Sequence, residues 1–541
     1  MRVRALLFLV GFVMAVFCGY WVATTAVPKA TPIRHASRQD APSHTMVGVD
    51  EPAPRFRTGK RLDAPRGDAQ AMQAGALEGQ RVLLFPNQAA LARFLKNKGD
   101  KIHLLGRLDA LNALHVSFAD VADLLAILPS EMVASFVFPV NVPTPREGTV
   151  QPGAVALGNR LLDWLGITGD NSAWGKGVRI AILDTGVTAN SAFQTTIQSM
   201  NLVELSSDPA AQNGHGTAVA SVIIGHNALT PGVAPGADIL SIRIANDHGE
   251  SNSYWLAQGI VAAVDAGAQL INISMGSVGD SAVVKMALEY ARAAGSLVVA
   301  AAGNNGTSQV SYPAANPGVI AVGAVDAADN HLDFSNTGPS IALSAPGYGV
   351  NAAWTGDQAA IVTGTSFSAP IVVGSIAAIM TESGNRNLTP TQAYQLMLAY
   401  LNDGGAPGPD TELGGGTLDI GRVMSAGTPG IYDAAVASSR ILAPDAQHPY
   451  GQIEILVQNR GTETLINTNV QVRTPSGAVA TNLTNLAPNA VQTIRVPIAQ
   501  PASAYANGMR VESRVTLGGA QRDARPSNNS RVETYAPAGT Q

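Results

Sequence analysis

Charge is the scarcest ingredient of this 541-residue chain: Asp, Glu, Lys and Arg together make up 13%, about half the share of an average soluble domain. That deficit excludes a highly charged disordered chain or a coiled coil. Lys and Arg number 34 against 39 Asp and Glu, a net charge of -5. No basic run is available to neutralise phosphates, so nucleic acid is excluded as a partner. Cysteine is nearly absent. Cys18 stands alone, which rules out an intramolecular disulfide framework and any Cys-based zinc site. What the chain has instead is a hydrophobic content of 46% and 55 glycines. At roughly 150 residues per domain its length admits three or four domains.

Residues 1–26 read as a signal peptide or a signal anchor. Arg2 and Arg4 precede an apolar run from Ala5 to about Val22, and Thr24 and Ala26 are small residues suited to cleavage after Ala26. Extended to Val27, the run is also about long enough to span a bilayer uncleaved. Cleavage implies a secreted, periplasmic or cell-surface protein. Retention implies a membrane-anchored one with its bulk outside the cytoplasm, and membrane contact is expected only in that case. Cys18 reads as apolar filler within the run.

Residues 27–78 lack periodicity and are rich in Pro, Ala, Arg, Asp and Gln, as in a flexible leader. From Arg81 a strand, a helix opened by Asn87, one or two strands over 101–119, a helix opened by Asp120 and a closing strand over 133–142 follow. The order β-α-β-β-α-β predicts a ferredoxin-like α+β module over 79–146. Residues 150–427 alternate short β-branched strands (VRIAILD, DILSIRIA, LINISM, LVVAAAG, VIAVGAV) with helices over 253–267 and 280–295. Strands that are apolar throughout, alternating with helices, predict an α/β doubly wound parallel sheet covered on both faces. Ligands of such sheets bind beyond the carboxyl ends of the strands.

Chemistry-bearing residues fall where that rule points. Asp184 ends the first strand in ILDTGV, His215 opens a helix in NGHGTAVAS, Ser366 opens another in GTSFSAP, and Asn304 ends the strand VVAAAGN. Taken singly, these are also a turn Asp, a helix-start His, a Ser N-cap and a turn Asn. Together, a carboxylate, an imidazole and a hydroxyl are the groups nucleophilic acyl transfer requires. The Ser366 N–H and the Asn304 amide are candidate donors for a developing oxyanion. Asp184-Thr185-Gly186 also matches the tripeptide of aspartic proteases, but the chain holds no second copy.

The strings ILDTGV, HGTAVAS with GVAP at 232–235, ISMGS, AAAGNNG, YPA at 312–314 and GTSFSAP occur in the order found in the subtilisin-like serine proteases, and the chain resembles that family over about 270 residues. The resemblance implies a Ser-His-Asp triad of Ser366, His215 and Asp184, with Asn304 as oxyanion donor. It also implies that Ser274, Met275 and Gly276 form an edge to which substrate backbone pairs, facing Ala301, Ala302 and Gly303 across the primary pocket. Phe367 departs from the Met common after the nucleophile. The loop around HNALTP is short where many relatives fold a calcium site, with Asn227 and Thr230 its only side-chain oxygen ligands, so no metal residue is assigned; no cofactor is expected to be required for the chemistry, and a structural calcium stays open without an assignable site. By the same resemblance, the 79–146 module is a propeptide that assists folding, inhibits the site and is cut off between Pro143 and Pro152.

From about 432 the periodicity changes to two. QIEILVQNRG, TNVQVRT, VQTIRVPI and MRVESRVTL predict a β-sandwich over 432–541, similar to adhesion-type immunoglobulin-like domains. The whole reads as an exported, self-processing serine endopeptidase acting on polypeptides; the alternative is a catalytically silent scaffold or adhesin binding through the sandwich.

Overall fold

The computed structural model describes residues 64–129, 132–143, 151–204, 212–382, 387–505 and 508–535. The expected export segment, residues 27–63 of the expected leader and the junction residues 144–150 lie outside them; the rest of the leader expected to be flexible over 27–78 is structured instead, because Ala64–Gln73 forms a helix and Ala71 and Ala76 are buried with Phe138. The N-terminal region runs through α1 (Ala64–Gln73), β1 (Gln80–Leu84), α2 (Gln88–Asn97), β2 (Ile102–Leu108), β3 (Ala113–Phe118), α3 (Val121–Ile127) and β4 (Val133–Phe136). Its four strands form an antiparallel sheet in the order β2-β3-β1-β4. The Asn87 side chain accepts from the Ala90 N–H and the Asp120 side chain from the Ala122 N–H, at 2.9 and 2.8 Å. Each cap satisfies a donor that the first helical turn leaves without a partner. Ala90, Leu91 and Phe94 then turn inward onto Leu83, Leu114 and Val116.

The single closing strand expected over 133–142 is instead two. β4 stops at Phe136, and β5 (Pro139–Asn141) leaves the module's sheet to pair antiparallel with residues 250–252. Proline has no N–H for a ladder but is tolerated at a strand's first residue, which is where Pro139 stands.

The central domain contains α4 (Leu161–Trp164), β6 (Arg179–Asp184), β7 (Gln198–Asn201), α5 (His215–Ile224), β8 (Asp238–Arg243), β9 (Glu250–Asn252), α6 (Ser253–Asp265), β10 (Leu270–Ile273), α7 (Ala282–Ala293), β11 (Leu297–Ala301), β12 (Ile320–Val325) and β13 (Ile341–Pro346). A hairpin of β14 (Val350–Trp354) and β15 (Gln358–Val362) follows, then α8 (Thr365–Glu382), α9 (Pro390–Leu398) and α10 (Ile420–Ser425). Seven strands form one parallel sheet in the order β13-β12-β11-β10-β6-β8-β7. Alternate residues of β6 serve opposite faces. Ile180 and Ile182 pack with Val219 of α5 and Val373 and Ile376 of α8, whereas Ala181 and Leu183 pack with Ile260 of α6 and Val283 of α7. Both faces are therefore covered, and the inner strands are apolar at most positions, with Ser241 of β8 and Asn272 of β10 among the buried exceptions. Each fully buried Ile or Leu contributes about 1.5–3 kcal/mol.

Among the described residues α8 is long and apolar enough to cross a membrane, yet 89% of it is buried inside the fold. Burial on all sides is what makes it apolar on all sides. The α9 helix begins at a capping box of Thr389 and Gln392, with Pro390 in its first turn. Beyond α10 come β16 (Ala434–Leu442), β17 (Gln452–Asn459), β18 (Leu465–Thr474), β19 (Gly477–Leu486), β20 (Val491–Pro497), β21 (Met509–Thr516) and β22 (Ser530–Tyr535). They form antiparallel sheets β16-β17-β20 and β19-β18-β21-β22. Ile453, Ile455 and Val457 of one face Val470, Val472 and Val511 of the other.

Candidate active site

The carboxyl ends of β6, β10 and β11, neighbours in the sheet, bring the candidate residues together. Asp184 is the last residue of β6 and His215 the first of α5, and both are fully buried. His215 Nδ1 lies 2.9 Å from each Asp184 carboxylate oxygen. A carboxylate can only accept, so Nδ1 carries the proton and Nε2 the lone pair. Nε2 is buried without a hydrogen-bond partner. The ring of Phe367 flanks the imidazole at 5.4 Å between centroids.

Ser366 stands in the first turn of α8, where helix N–H groups have no intrahelical acceptor. Its hydroxyl donates to the Ser274 carbonyl at 3.1 Å. The Ser274 hydroxyl in turn donates to the Ser366 carbonyl at 2.7 Å and accepts from the Asn272 amide at 2.9 Å. The nucleophile candidate is thus tied to the end of β10.

Asn304 Oδ1 accepts from both the backbone N–H and the hydroxyl of Thr365, at 2.9 and 2.8 Å. This orients the amide so that Nδ2 lies beside Gly364. A Cβ on Gly364 would stand 3.1 Å from Nδ2, and its φ of +147° is open only to glycine. Thr365 is a functional neighbour the sequence reading missed. Its hydroxyl, adjacent to Ser366 in GTSFSAP, was the available signal.

A cavity of about 270 Å³ opens in front of these groups, lined by Ser274, Met275, Gly276, Ala301, Gly303, Asn304 and Ser366, and no charged side chain lines it. Ala302 does not join them. It is fully buried, and its carbonyl accepts from the Ser311 N–H at 2.9 Å; successive residues at a strand end face opposite ways. Ser311 and Asn305 complete the wall. Asn141 and Pro143 of the N-terminal region also line the cavity, a contact across more than a hundred residues that no local pattern signals. Asn141 exchanges both backbone hydrogen bonds with Gly276, at 3.1 and 3.3 Å, and the Val142 N–H donates to the Gly249 carbonyl at 2.8 Å.

In the short 225–232 loop, Asn227 Oδ1 already accepts from the Leu229 N–H, the Thr230 N–H and the Thr230 hydroxyl. These residues do not fit a calcium ion, which wants six to eight oxygens with lone pairs to spare. Among the described residues no group of three or more His, Cys, Asp or Glu is placed to hold a metal.

A parallel α/β sheet with serine, histidine and aspartate gathered at its strand ends defines a class, and comparison narrows it. The Subtilase family profile matches residues 175–416. Subtilisin DY of Bacillus licheniformis is 35% identical over 214 residues, 38% of this chain and 78% of that protein. A thermostable alkaline protease of Halalkalibacterium halodurans is 38% identical over 210 residues, 38% of this chain, and a thermophilic serine proteinase of a Bacillus species is 38% identical over 224 residues, 40% of this chain. The matched segment spans only 57% and 56% of those two proteins. The structure of an epidermin leader peptide processing serine protease from Staphylococcus aureus has the same fold, with a TM-score of 0.53 and 22% identity over 64% of this chain and 98% of that one. The chain belongs to the subtilase family.

Proposed function

We propose that the chain is an exported serine endopeptidase that cleaves polypeptides through an acyl-enzyme on Ser366 and matures by cutting itself. The observation that carries this reading is the buried Asp184–His215 pair, whose Nε2 lone pair faces no other partner. Turning the Ser366 hydroxyl from the Ser274 carbonyl to Nε2 arms it: His215 removes the proton as Oγ attacks the substrate carbonyl, and Asp184 stabilises the imidazolium. The Ser366 N–H and Asn304 Nδ2 bind the oxyanion. Thr365 holds Asn304 for that task, so the donor pays no reorganisation cost as charge develops. His215 then protonates the leaving amine, and water, activated by the same nitrogen, releases the acyl group. No metal or cofactor enters these steps. Structural calcium remains outside the proposal because Asn227 is already committed.

The uncharged cavity suits an uncharged side chain, with the substrate backbone adding a strand to Ser274–Gly276. In this reading residues 79–146 are a ferredoxin-like propeptide, supported by β5 lying along that edge as a substrate would. The immunoglobulin-like sandwich over 432–541 is a permanent part of the mature enzyme.

Ser366→Ala should abolish both processing and labelling by a serine-directed phosphonate. Equal processing and labelling in the variant would sink the protease reading and leave the silent scaffold. Asn304→Ala should lower kcat about 100-fold or more with little change in KM. A pure KM effect would remove the oxyanion assignment.

A further inference from the structure

We infer that the bond joining Pro143 to Thr144 is the one cut in maturation, and that Pro143 itself slows the cut. The inference rests on the self-processing reading above. In an antiparallel ladder, residues that exchange both backbone bonds recur at every second position. Asn141 and Gly276 are such a pair, so the next is Pro143 opposite Ser274. Pro143 lines the cavity beside Ser366 and Asn304, which puts its carbonyl at the acyl position. Side-chain burial has the matching alternation: Val140 and Val142 are buried and Asn141 is exposed.

Proline changes what that position can do. Any other residue there would donate its N–H to the Ser274 carbonyl, but proline has none. The carbonyl takes the Ser366 hydroxyl instead, at 3.1 Å, while His215 Nε2 is left without a partner. The segment thus draws the nucleophile away from its base while filling the cleft. Cleavage follows when the hydroxyl turns to His215. Ser366 Oγ bonds to the Pro143 carbonyl carbon, the C–N bond to Thr144 breaks, and the serine proton passes through His215 to the Thr144 nitrogen. Water then hydrolyses the ester to free the Pro143 carboxylate and Ser366.

The test follows maturation of the full chain, wild type against Pro143→Ala and Ser366→Ala, identifying both new chain ends at the earliest time points by mass. A module ending at residue 143 and an enzyme beginning at Thr144 are expected, with Pro143→Ala maturing about tenfold faster, the effect of one regained backbone hydrogen bond. The substitution leaves with the module, so kcat/KM of the matured enzymes on an unrelated peptide should be identical. First ends at any other bond overturn the site. Equal maturation rates of wild type and Pro143→Ala overturn the retarding role. Both results leave the protease reading standing, whereas Ser366→Ala processed like wild type removes that reading itself.

Discussion

The α/β domain carries a neighbour at each end of the chain and holds the two by different chemistry. Against the N-terminal module these contacts are neutral: Phe138 lies over Gly279, the His115 ring sits 4.7 Å from the Tyr254 ring, Ser135 and Ser281 share a hydrogen bond at 3.3 Å, and β5 pairs through backbone. Against the sandwich they involve charged side chains, Arg422 buried and Arg525 partly so. Arg422 of α10 donates to the carbonyls of Tyr400, Leu401 and Arg460 at 3.0, 2.8 and 3.2 Å and to the Asn489 side chain, while Arg525 pairs with Asp419. Desolvation lowers the Arg422 guanidinium to about 10, still charged at neutral pH. Neutral surfaces separate at moderate cost because water restores what they lose. A network of desolvated charges does not separate that way, since removing one member strands the rest. The difference suits the fate proposed for each, the module shed and the sandwich kept.

Arg422→Ala should test the ionic side most severely, lowering stability by about 3–5 kcal/mol because it orphans several carbonyls at once. Denaturant unfolding of the mature enzyme measures it, and a loss below about 1 kcal/mol would put the two contacts on the same footing. On the neutral side, Gly279→Ala would place a Cβ 2.0 Å from a ring carbon of Phe138. Overpacking of this kind costs about 1–3 kcal/mol, and it should loosen the module in unprocessed Ser366→Ala protein. The fully matured enzyme, without Phe138, should be unaffected; an equal loss in both forms would mean that Gly279 serves the protease rather than the contact.

The smallest expected effect is on pH. Burial pushes the His115 imidazole down to about 4, with Gln80 Oε1 at 2.9 Å and the Tyr254 ring as its neighbours. The unfolded chain takes up a proton near pH 6.5 that the folded chain refuses until about 4, so stability falls as pH drops through that window. About 1–2 kcal/mol is expected after partial relaxation. In the Ser366→Ala background, His115→Gln should abolish that component of the pH profile. Superimposable profiles would show that His115 is not held neutral by the contact.

Local chemistry was legible in the chain itself. Caps at Asn87 and Asp120, strands apolar at most positions, and the change to period two near 432 follow from short-range preferences that tertiary packing reinforced. The places of Asp184 at a strand end and of His215 and Ser366 at helix starts were legible because strands and helices alternate regularly along this part of the chain. Other features were decided only by long-range contact. The break of the 133–142 strand depends on residues 250–252 and Gly276, which offer backbone donors and acceptors that no local sequence advertises. The turn of Ala302 into the core, away from the cavity, depends on where β11 ends. The resting direction of the Ser366 hydroxyl depends on the Ser274 carbonyl at the end of β10, 92 positions earlier in the chain. Sequence by itself determined which groups exist and which segments are strand or helix, because those are local properties of side chain and backbone. Tertiary structure decided which lone pair meets which proton, because hydrogen bonds across the cleft require partners that only folding brings within 3 Å.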